Sequence, residues 1–87
     1  MELYEKNVFI RLGKISQQNF LINGRQCFEI NEIGLFIWEC FSLPSSIEDV
    51  QKKVLDCYEG KGKKNIEKDV RNFVDLLIKY ELINKVE

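Results

Sequence analysis

The sequence predicts an α+β fold in which an N-terminal three-stranded antiparallel sheet is followed by three helices. Three observations predict it. The first third is rich in β-branched and aromatic residues and contains Asn23-Gly24, a strong hairpin signal. Phe28-Glu29-Ile30-Asn31-Glu32-Ile33 runs from strand into helix with no loop, and Asn31 stands where an N-cap belongs. Two further segments, after Pro44 and after Lys64, repeat apolar residues at helical spacing.

The elements follow in order. Asn7-Val8-Phe9-Ile10-Arg11-Leu12 reads as the first strand, punctuated by Gly13-Lys14. Gln18 to Ile22 is the second, and Arg25-Gln26-Cys27-Phe28-Glu29-Ile30 returns after the Asn23-Gly24 turn. In that third strand alternation sends Phe28 and Ile30 toward the core and Cys27 and Glu29 away. A first helix is expected from about Glu32 to Phe41, broken by the Pro44 segment. Ser46 is placed to cap a second helix, from Ile47 to about Tyr58, with Ile47, Val50, Val54, Leu55 and Tyr58 buried. Glu59 to Lys64 reads as a flexible basic loop. Asn65 then caps a third helix from Ile66 to about Tyr80, and Leu82-Ile83 form a short apolar tail. This order is winged helix-turn-helix-like, with the sheet placed first.

Composition narrows the function. Eighty-seven residues suffice for one domain, expected over 1–87, and 45% hydrophobic residues supply its core. A formal charge of -1 gives no general attraction to nucleic acid or to an anionic membrane. The apolar runs are too short to span a bilayer, and the acidic start resembles no signal peptide. The chain is therefore read as cytoplasmic. Cys27, Cys40 and Cys57 are odd in number and widely spaced, which argues against a disulfide framework. There is no histidine, which removes the usual zinc sites and every Ser-His or Cys-His catalytic arrangement. No cofactor and no catalysis are expected.

Two features invite a binding role. Lys61-Gly62-Lys63-Lys64 could touch phosphates, as in a small winged-helix DNA-binding regulator, but the following helix alternates acids and bases where a recognition helix would be uniformly basic. The third helix has an apolar face wider than three helices need. Beside its Val70, Val74 and Leu77 stripe runs a second line of Asp69, Asn72, Phe73, Leu76 and Tyr80. Periodicity leaves two readings open. These side chains pack against the sheet or the tail, or they form one wall of a groove whose other wall is the third strand.

The stretch Phe28 to Glu39 resembles the "Y-x-L-N-x-x-G-x-x-I-W-x" signature of the PqqD family. Ser46-Ile47-Glu48-Asp49-Val50 and the block from Asp69 to Leu77, with Leu82-Ile83, resemble its later motifs in the right order. Phe28 stands where Tyr is common, Ser42-Leu43 replaces Asp-Gly, and Glu81 replaces the Gly before the final apolar pair. The resemblance implies a precursor-peptide recognition element for ribosomally synthesised, modified peptides. Such a module binds a leader peptide as an added strand and delivers the precursor to a modifying enzyme, such as a lasso-peptide leader peptidase or a radical SAM enzyme. Carried over by position, the strand wall is Arg25, Gln26, Cys27, Phe28, Glu29 and Ile30. The helix wall is Asp69, Asn72, Phe73, Leu76 and Tyr80. The exposed strand edge could also pair with a second copy, giving a homodimer.

Overall fold

A computed structural model describes residues 2–58 and 62–86. The core-forming sheet has strands β2 (Arg11–Ile15), β3 (Gln18–Asn23) and β4 (Gln26–Ile30), antiparallel in that order. Helices α1 (Glu32–Cys40), α2 (Ile47–Cys57) and α3 (Lys63–Lys79) follow. A second, two-stranded sheet pairs β1 (Tyr4–Lys6) with β5 (Ile83–Lys85). Leu21, Ile37, Phe41, Val50, Val54, Val70, Val74, Leu77 and Leu82 are buried between the sheet and the helices.

Local chemistry explains where the sheet departs from expectation. Residues 7–10 form a turn, not a strand. The Phe9 amide donates to the Asn7 side-chain carbonyl at 3.0 Å, and the Ile10 amide donates to the Asn7 carbonyl at 3.1 Å. This side-chain-to-backbone bonding outcompetes the β-propensity of Val8 and Phe9, which are left 87% and 81% exposed at the turn tip. Gly13 and Lys14 sit inside β2. The reversal falls at Ser16-Gln17, both with positive φ, as a two-residue turn of matching twist requires.

The second hairpin is shifted by one residue. Asn23 pairs with Gln26, so Gly24 and Arg25 are the central turn residues. Only Gly24 has positive φ, the pattern of a turn with glycine first. Arg25 therefore belongs to the turn and not to the third strand.

The helix starts follow the capping chemistry in two cases of three. Asn31 Oδ1 accepts the Gly34 amide at 2.8 Å, and Ser46 Oγ accepts the Asp49 amide at 3.1 Å. Each such cap contributes about 1 kcal/mol. Helix α3 begins earlier than expected, at Lys63, with Gly62 at the cap and no side-chain cap bond. Asn65 lies in its first turn. The expected basic loop falls partly at 59–61, outside the described residues.

The termini are built in. The Tyr4 amide and carbonyl exchange bonds of 2.8 and 2.9 Å with Ser45, so β1 lies between β5 and the α1–α2 connection. Lys6 reaches Glu39 at 3.1 Å and lies 5.0 Å from the Trp38 ring centroid. Leu82 and Ile83, expected as a tail, are core residues leading into and opening β5.

Candidate functional site

Among the described residues strand β4 pairs on one side only, with β3. Its register with β3 is closed by the Asn23–Gln26 pair across a two-residue turn. Antiparallel ladders alternate bonded and non-bonded pairs, so Gln26, Phe28 and Ile30 spend their backbone groups on β3. The N–H and C=O groups of Cys27 and Glu29 then point to the open edge. Their side chains are exposed on the outer face, whereas Phe28 is half-buried and Ile30 buried on the inner one.

Helix α3 faces that edge across a cavity of about 450 Å³. Cys27, Phe28, Glu29 and Ile30 line it from β4, and Phe73, Leu76 and Leu77 from α3, with Leu21 and Leu82 completing the lining. A second hollow of about 400 Å³ adjoins it between α1 and α3, lined by Ile33, Gly34, Ile37, Asp69 and Asn72. Asn31, Phe73 and Leu76 are common to both, so the two hollows form one groove divided by the Phe73 and Leu76 side chains. Leu76 is 39% exposed, and its apolar side chain is open to a ligand.

The strand-to-helix joint holds the groove's end. Gly34 is buried under the Phe73 ring, and a Cβ there would lie 3.1 Å from Phe73 Cζ and 3.2 Å from Asn31 Oδ1. Glycine thus lets α3 close on the first turn of α1 while Asn31 caps it.

Of the eleven residues singled out in the sequence, the structure gathers eight around this groove: Cys27, Phe28, Glu29, Ile30, Asp69, Asn72, Phe73 and Leu76. Tyr80 caps α3 and packs on Phe28, with ring centroids 4.8 Å apart, at the end nearer the hairpin. Arg25 and Gln26 lie at that hairpin and line neither hollow. The sequence reading missed Leu21, Leu77 and Leu82 as lining residues. Strand alternation assigns Leu21 to the inner face, but the position of Leu82 depends on how α3 ends.

Outside the groove, burial pushes the Cys40 thiol above its ordinary pKa. Among the described residues no group of three His, Cys, Asp or Glu side chains could hold a metal ion. No described helix is long and apolar enough to cross a membrane.

The fold and groove define a small α+β domain that sets a free strand edge against a helix wall. The chain belongs to the PqqD family: the family model for Coenzyme PQQ synthesis protein D (PqqD) matches residues 18–83. Its fold is similar to that of TbiB1 in complex with the TbiA(beta) leader peptide. The TM-score is 0.73 over 92% of this chain and 94% of that one, at 18% sequence identity. Among the curated proteins none matches this sequence.

Proposed function

We propose that residues 1–87 act as one leader-peptide recognition domain. It binds the leader segment of a ribosomally synthesised precursor as a fourth strand along β4, and presents the rest of that peptide to a modifying enzyme in the cytoplasm. The observation that carries this reading is the free backbone edge at Cys27 and Glu29 beside an apolar groove. Backbone bonds supply register, and side-chain pockets supply specificity. The fold it shares with a protein solved with a leader peptide supports the same reading. The module itself performs no catalysis and uses no cofactor. The enzyme it serves is a lasso-type leader peptidase, with a radical SAM enzyme as the second choice.

Fluorescence anisotropy with the leader of a precursor encoded beside this chain's gene tests the proposal. Saturable binding is expected, with a much shallower salt dependence than duplex DNA binding shows, because backbone bonds and apolar contacts supply most of the affinity. A steep fall with salt on duplex DNA, with no leader binding, would identify a DNA-binding regulator instead.

A further inference from the structure

Among the described residues, the charged ones that line the groove, Glu29 and Asp69, are acidic. Glu29 and Glu32 border a hollow of about 490 Å³ where β4 passes into α1, and Asp69 borders the hollow between α1 and α3. Asn31 belongs to both, so the two hollows meet where β4 passes into α1, with Glu29 on the outer face of the strand, Glu32 in the first turn of α1 and Asp69 on α3. Among the described residues no lysine or arginine lines these two hollows or the apolar cavity beside them. None of the three acids joins an ion pair among the described residues. All three are exposed. The N-terminus of α1 brings partial positive charge to this end, but Asn31 already takes its Gly34 amide and Glu32 stands in its first turn. Lys68, the exposed neighbour of Asp69, does not line the groove. Lys79 lies 5.5 Å from the Tyr80 ring centroid, toward the opposite end.

We infer that the groove selects a cationic strand. Resting on the strand addition proposed above, the occupant is a peptide with an apolar side chain opposite Phe28, seated in the cavity against Leu76. It carries a Lys or Arg roughly two to four residues away, where the chain passes Glu29, Glu32 and Asp69. Residues opposite Phe28 and Ile30 point inward toward α3, and those opposite Glu29 point outward, so a base on either face meets a carboxylate. The apolar end fixes position, and the acidic end selects the peptide and its direction along β4. An acidic peptide of the same apolar pattern is rejected by like-charge repulsion.

Selection of random dodecapeptides displayed on phage, against the full chain at low salt, tests this. The selected peptides are expected to share an apolar residue with Lys or Arg at a fixed short spacing. Replacing that base by Glu in the synthetic peptide should weaken binding roughly fivefold to tenfold, and high salt should narrow the gap. Glu29→Lys combined with Asp69→Lys should reverse the preference. Both positions are exposed, and either single variant should reduce it should the double variant fail to fold. Amide chemical shifts separate the two ways of failing. Perturbed Cys27 and Glu29 amides with equal affinity for the Lys and Glu peptides would overturn the charge rule and leave strand addition standing. Binding that leaves those amides unperturbed would overturn both.

Discussion

Phe28 of β4 and Tyr80 at the end of α3 stack with ring centroids 4.8 Å apart and planes inclined by 44°. This contact ties the open strand to the helix across the groove and sets their separation at the hairpin end. Tyr80→Ala is expected to cost about 1–3 kcal/mol, from lost burial and a lost aromatic pair. Urea unfolding measures it. Tyr80→Phe should stay within about 0.5 kcal/mol of the parent, because the ring contact survives.

Leu76 and Phe73 share the groove but differ in burial. Leu76 is 39% exposed, whereas the Phe73 ring end lies on Gly34. Leu76→Asp is expected to leave the unfolding midpoint nearly unchanged and to weaken peptide binding at least about tenfold, since it places a charge in the apolar pocket. Phe73→Asp should lower stability by about 3 kcal/mol or more, because a carboxylate then sits against buried apolar groups. Thermal unfolding and peptide titration of both variants separate the two effects.

Gly34→Ala places a methyl group 3.1 Å from Phe73 Cζ and 3.3 Å from Ile30 Cβ. The ring must swing into the groove or α1 must shift from its cap. A stability loss of about 1–2 kcal/mol is expected, although alanine favours helix over glycine. A shifted Phe73 ring resonance in NMR spectra would show which group gives way.

Glu81 adopts positive φ, +56°, immediately after α3. The Leu82 amide donates to the Leu77 carbonyl at 2.8 Å and the Glu81 amide to the Ile78 carbonyl at 3.1 Å, the paired bonds of a Schellman ending. Leu82 and Leu77 supply the fully buried apolar contact that accompanies it. A left-handed residue with a Cβ is strained by about 1–2 kcal/mol, partly offset by the unfolded-state entropy of glycine. Glu81→Gly should therefore raise stability by about 0.5–1 kcal/mol, measured as a higher urea midpoint at unchanged slope. An equal or lower midpoint would refute the strain argument.

Much of this was legible along the chain. The Asn31 cap, the Ser46 cap and the inward placement of Phe28 and Ile30 depend on neighbours no more than four residues away, and periodicity and cap chemistry report such neighbours directly. The turns were less legible. Gly13-Lys14 looked like a break and Ser16-Gln17 did not, yet pairing with β3 held the first in a strand and forced positive φ on the second. Val8 and Phe9 have strand-like side chains, but the Asn7 side chain bonds the backbone locally and turns it.

By itself the sequence determined the α+β class, the order of sheet and helices, and the two lines of residues that could wall a groove, because each is written in the spacing of apolar side chains. The tertiary structure decided that the lines face each other. It did so through long-range contacts with no local signature: Phe73 closing on Gly34, Tyr80 stacking on Phe28, and the Schellman turn that carries Leu82 back beneath α3. The same packing of α3 on α1 sets Asp69 beside the first turn of α1, so that residues far apart in the chain line one hollow with Asn31 and Gly34.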